Sequence, residues 1–193
     1  MSDFDKAWDA FESNCKNCRD CGLCETVNNV VIYRGNRQAP LMVIGEAPGA
    51  NEDKEGKPFV GRSGQLLQNL LESYGFNDSN YHICNIVKCR PPENRRPTPV
   101  EIAACKKHLA EQFRLVKPKV IVLCGSTAYE AFYGKKPTMR DVRCNFEEKN
   151  GFFIMTTFTF FFFKYTYARI FTFFCTKIKY LIKNIKTFFR LTF

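Results

Sequence analysis

The stretch CKNCRDCGLC places Cys15, Cys18, Cys21 and Cys24 three residues apart. Thiols packed this densely suit a metal ion or an iron–sulfur cluster better than they suit an apolar core. Two more cysteines, Cys89 and Cys105, flank the proline-locked stretch CRPPENRRPTP (89–99). A C-x2-C pair from one loop plus two distant cysteines can close a four-thiolate site. Spacing alone leaves zinc and iron–sulfur equally open. Cys84, Cys124, Cys144 and Cys175 read as free buried thiols.

Two loops carry a second set of candidates. GEAPG follows an apolar run and places Glu46 at the edge of a sheet, while Pro48 and Gly49 let main chain approach a ligand closely. Phe59 lies in a polar loop with neither helical nor strand periodicity. It reads either as a ring that stacks on a base or as a core anchor. Asn85 interrupts an apolar strand. A buried amide needs partners, so it is either a structural tie or a reader of a base edge. Arg90, Arg95 and Arg96 could hold phosphates, or be an ordinary solvated charge run. GKPFVGRSG falls one residue short of a phosphate-binding loop, because Arg62 stands where lysine is required and no strand precedes it. Nucleotide hydrolysis is therefore set aside.

The elements that must position these residues alternate. Helical spacing runs from Asp3 to Ser13, Gly64 to Tyr74 (with Ser63 as cap), Pro99 to Leu115 (with Thr98 as cap) and Ser126 to Tyr133. Apolar runs at 29–33, 41–45, 81–88, 119–125 and 151–158 read as strands. Residues 46–61 read as one long loop. Strands that are apolar throughout and alternate with helices predict an α/β fold, three-layered, with a mostly parallel sheet covered on both faces. Ligands in such folds bind beyond the carboxyl ends of strands, which is where the loops at 46–61 and 89–98 emerge.

Among 193 residues the formal charge is +10, which points to an anionic partner, nucleic acid first. The charge is uneven, however. Residues 152–193 hold seven of the 29 basic residues and none of the 19 acidic ones, so the body carries only +3. The acidic, amphipathic start has no leader character, and no run reaches the ~18 apolar residues of a membrane span. A soluble, cytoplasmic monomer without membrane contact is expected, and cysteines in that setting favour metal ligation over disulfides.

CRDCGLC, VIGEAPGANEDKEGKPFVGRSGQLL, NIVKCRPPENRRP and the later Cys105 together resemble the family 4 uracil-DNA glycosylases, from about Cys15 to Phe158. The resemblance implies an iron–sulfur enzyme of base-excision repair that hydrolyses the N-glycosidic bond of uracil in DNA. It implies a [4Fe–4S] cluster on Cys18 and Cys21, fixed in register by Leu23, with Cys89 and Cys105. It implies a pocket lined by Glu46 and Ala47, with Phe59 stacking on the everted uracil and Asn85 bonding its polar edge. The cluster's implied role is structural.

One family feature is missing. A His-Pro motif is expected just after the last strand, but Thr159, Phe160 and Phe161 stand there, and no histidine follows His108. From Thr156 to Tyr167 the chain reads TTFTFFFFKYTY, and residues 152–193 hold thirteen of the 20 phenylalanines. That bias resembles AT-rich DNA translated in a displaced frame. We therefore expect a glycosylase-like domain over 1–158, an aberrant tail over 159–193 and impaired activity. The competing readings are a non-catalytic nucleic-acid-binding protein and an iron–sulfur electron carrier.

Overall fold

The computed structural model describes residues 2–142, 146–149 and 151–157. Its middle layer is a six-stranded sheet in the order β1 (Arg34–Gly35), β3 (Tyr81–Asn85), β2 (Leu41–Gly45), β4 (Val120–Cys124), β6 (Phe152–Thr157), β5 (Phe146–Lys149). The four central strands run parallel, and each edge strand is antiparallel to its neighbour. The helices are α1 (Asp3–Lys16), α2 (Ala50–Glu55), α3 (Arg62–Ser73), α4 (Pro99–Val116), α5 (Ser126–Tyr133) and α6 (Met139–Val142).

The expected three-layer arrangement is present because β2 and β4 are apolar throughout and β3 is interrupted only by His82 and Asn85. Leu41 and Val43 face one side, with Leu67 and Leu71 of α3. Met42 and Ile44 face the other, with Ile102 and Leu109 of α4 and Ala128 of α5. Each such side chain contributes about 1.5–3 kcal/mol on full burial. Helix α1 lies outside α4, through Trp8 and Phe11 against Leu115 and Val116. The chain passes from β2 to β3 on one side, then through α4 to β4 on the other side of β2. The carboxyl end of β2 is therefore a topological switch point, where a crevice opens.

Several elements differ from the expectation for local reasons. Residues 29–33 form no strand. The Val31 amide bonds the Lys88 carbonyl at 2.7 Å, and the Asn28 and Asn29 amides bond the buried Asp53 carboxylate, so consecutive peptide groups serve different partners. Strand β3 ends at Asn85, after which Ile86 and Val87 donate to the carbonyls of Gly45 and Glu46. The loop at 46–61 contains α2, which closes on Gly56 in the left-handed region at φ 71°. Helix α3 begins at Arg62 with Gly61, not Ser63, as its cap. Strand β5, at the sheet edge beside β6, and helix α6 are additions. Helix α4 starts as expected, and Thr98 and Glu101 cap it reciprocally.

Candidate functional site

At the carboxyl ends of β2, β3 and β4 lies a cleft of about 580 Å³, bordered by Glu46, Ala47, Phe59, Asn85, Asn94 and Arg95. The structure thus brings together Glu46, Ala47, Phe59 and Asn85 from three separate segments. Gly45 and Asn85 are paired in the β2–β3 register. The space a side chain would fill at Gly45 is taken by Asn85 Oδ1 and the Phe59 ring, each 2.5 Å from where a Cβ would stand. Asn85 is 2% exposed, and its Nδ2 has no hydrogen-bond partner among the described residues. A buried amide N–H without a partner is costly in a finished core and fitting in a site that awaits one. Gly45→Ala pushes both groups out of place. The variant is expected to fold but to lose about 1–3 kcal/mol of stability to the overpacking, as read by scanning calorimetry.

Phe59 holds its place against backbone strain, with φ at 57°. Glu52 of α2 explains how. One carboxylate oxygen accepts from the amides of Val60 (2.9 Å) and Gly61 (2.8 Å), and the other from Gly49 (3.1 Å). That carboxylate gathers both sides of the 46–61 segment around the ring. Gly64 completes the turn, since a Cβ there would overlap the Phe59 main chain. The near-match to a phosphate-binding loop is this turn into α3.

Beside the cleft is a second, narrower cavity. All six cysteines of the two candidate groups border it: Cys15, Cys18, Cys21, Cys24, Cys89 and Cys105. The described cysteines form no disulfides. Burial, and then the nearby Cys105, Cys21, Cys18 and Cys24, together push the Cys89 thiol up to about 12. Burial raises Cys105 as well, opposed by the Lys88 charge and by the Lys88 main-chain amide. Left to themselves these groups are thiols; a cationic inorganic core turns the same crowd of sulfurs into ligands. The donor set therefore fits a sulfur-ligated metal or cluster. Two sulfurs already have other partners: Cys15 Sγ lies 3.3 Å from His108 Nδ1, and Cys24 Sγ donates to the Cys21 carbonyl at 3.1 Å. Cys18, Asp20 and His108 offer ligand atoms all within 4.8 Å of one another, a smaller grouping at the same cavity.

The profile of the "Uracil DNA glycosylase superfamily" matches residues 32–183. A protein of Thermotoga maritima named "Type-4 uracil-DNA glycosylase" is 47% identical over 131 residues, 67% of this chain and 68% of the relative. The chain belongs to this family. Type-4 relatives from Archaeoglobus fulgidus and Saccharolobus solfataricus are 43% and 44% identical, over 60% and 63% of this chain. The chain spans only 58% and 57% of their lengths. Residue 158 and the tail over 159–193, position 159 included, lie outside the described residues. No helix among the described residues is long and apolar enough to cross a membrane.

In this type-4 glycosylase the three arginines of the proline loop differ in environment. Arg95 makes a bidentate pair with Glu101, at 2.9 and 2.6 Å, and Arg96 pairs with Glu130 at 2.6 Å. Arg90 donates through Nε to the neutral Asn94 at 2.7 Å and makes no ion pair among the described residues. Glu101 also caps α4, and Arg95 with the Thr98 amide holds its carboxyl down at about 2 instead of 4.5. A carboxyl lowered on folding stabilises above its unfolded value and loses that contribution as pH falls from about 4.5 to 2. Glu101→Gln is expected to cost about 1–2 kcal/mol at neutral pH and almost nothing near pH 2, checked by urea unfolding across that range.

Sequence reasoning missed Glu52, Lys88, Glu101, His108 and Gln112. A signal existed for some of them. Glu101, Cys105, His108 and Gln112 follow helical spacing and put a polar stripe on the buried side of α4. Lys88 ends an apolar run.

Proposed function

We infer that the chain takes uracil everted from DNA into the cleft and hydrolyses its N-glycosidic bond, which starts base-excision repair. One observation carries this reading: the partnerless Nδ2 of buried Asn85 in a cleft that Phe59 also lines. Asn85 donates to a uracil carbonyl and accepts from the ring N–H, a pairing that cytosine reverses and therefore fails. Phe59 stacks on the base, and Ala47 lines the wall beside it. Eversion costs a few kcal/mol, which these contacts offset. As the bond breaks, negative charge gathers on the uracil oxygens and positive charge on the sugar. The Asn85 amide serves the first. Glu46, half-buried at the head of the loop, answers the second and holds the attacking water.

Cys18, Cys21, Cys89 and Cys105 hold a [4Fe–4S] cluster, which when bound ties the N-terminal loop to the proline loop and takes no part in the bond cleavage. Arg90 contacts DNA phosphate; Arg95 and Arg96 contribute to that surface while their carboxylate partners hold the loop in shape. Residues 159–193 are the product of a displaced reading frame. An uninterrupted locus with no His-Pro in any frame overturns that statement.

A second reading, binding without efficient turnover, is favoured by one fact. Both histidines of the chain lie away from the cleft: His82 is buried beneath Tyr33, and His108 lines the thiol cavity. Measuring uracil release and oligonucleotide binding on the same preparation tests both readings. Selective binding of uracil-containing DNA with slow release is expected, and Asn85→Ala removes both. Equal binding of uracil- and thymine-containing strands overturns the assignment.

A further inference from the structure

Lys88 is 1% exposed and is the one buried lysine among the described residues. Its ammonium donates to the Asn85 carbonyl at 2.8 Å and to Gln112 Oε1 at 2.5 Å. Both acceptors are uncharged. Gln112 Nε2 in turn lies 3.2 Å from the Ile32 carbonyl and 2.8 Å from His82 Nε2. Burial drives the His82 pKa down to about 3, so this branch also ends in a neutral group. Two carboxylates border the same cavity as Lys88, but each has its own cation: Asp20 pairs with Lys107, and Glu101 with Arg95. A buried ammonium without a counter-ion is strongly disfavoured.

What remains beside Lys88 is sulfur. It lines the cavity with all six cysteines. We propose that Lys88 is the internal counter-charge of the metal centre: its ammonium balances the net negative charge of an iron–sulfur core held by four thiolates. The inference rests on the cluster reading given above. It also gives the cluster a mechanical link to the cleft, because the same ammonium grips the main-chain carbonyl of Asn85. The group that answers the cluster's charge is thus one hydrogen bond from the residue that reads the base.

The test uses anaerobically purified protein, wild type, Lys88→Met and Lys88→Arg, with iron per chain and the midpoint potential of the visible chromophore as readouts. Methionine nearly matches the lysine stem in shape, so it removes charge with little change of packing. Reduction adds a further negative charge to the centre and is harder without the ammonium. At the wild-type midpoint, Lys88→Met is expected to lower the reduced-to-oxidised ratio at least tenfold, about 59 mV towards negative potential, with Lys88→Arg close to wild type. Loss of iron from Lys88→Met alone also supports the proposal. Unchanged potential and iron in Lys88→Met overturns it, as does equal loss of iron from both variants, which would assign the effect to shape. A wild-type protein without iron overturns the cluster reading itself.

Discussion

Thr159→His is expected to raise uracil release from a uracil-containing oligonucleotide by about 10²-fold. Asn85, Phe59 and Glu46 border the cleft, while both histidines of the chain lie elsewhere. His82 is stacked at 5.0 Å on Tyr33, its Nδ1 is 2.9 Å from the Asn36 carbonyl, and burial keeps it neutral. His108 borders the cysteine cavity. Strand β6 is described as far as Thr157, whose register partner Cys124 borders the cleft. The position where the family motif carries its histidine is two residues further along the chain. A missing donor to a developing oxyanion typically costs 10²–10³ in rate, and restoring one recovers a share of that. Single-turnover cleavage on a denaturing gel measures the effect. Equal rates for the two proteins, both rapid, would show that another group already serves the leaving uracil.

Cys89→Ala and Cys105→Ala are each expected to yield colourless protein without iron, whereas Cys15→Ala and Cys24→Ala keep both colour and iron. The distinction follows from what each sulfur already does. The Cys15 thiol faces His108, and that of Cys24 bonds a neighbouring carbonyl. Cys89 of the proline loop and Cys105 of α4 border the cavity together with the N-terminal cysteines, and no hydrogen bond of the Cys89 side chain is seen among the described residues. Without the metal centre the buried thiols have nothing to organise them. The stability lost should exceed about 4 kcal/mol, the range associated with losing a metal site instead of a single contact. Chelation of the wild type should give the same drop in thermal midpoint. Iron retained in Cys89→Ala, or lost equally from Cys24→Ala, would redraw the ligand set.

Sequence-level signals reached far along this chain because they are local. The runs LMVIG and VIVLC name the buried strands, since a strand covered on both faces is apolar at every position. Thr98 as a cap, directly before Pro99, announces the start of α4. The cysteine spacing, Phe59 in a polar loop and Asn85 in an apolar strand are local irregularities that single these residues out as candidates. The candidates at 46, 47, 59 and 85 meet in one cleft, as the loop positions imply.

Other features depended on contacts between distant segments, which no local pattern records. The Glu52 carboxylate is a plain charge in NEDKE until the fold brings the Val60 and Gly61 amides to it. Arg95 and Arg96 look alike in sequence with Arg90, yet Glu101 and Glu130 reach only the first two. Gly45 reads as the end of a strand, and only the register with Asn85 shows that a methyl group there would collide with the Asn85 amide. Strand periodicity and thiol spacing follow from the geometry of a few consecutive residues, so the chain carries them openly. Which charges are balanced, and which amide is left waiting, follow from neighbours tens of residues apart, and those are decided when the sheet assembles.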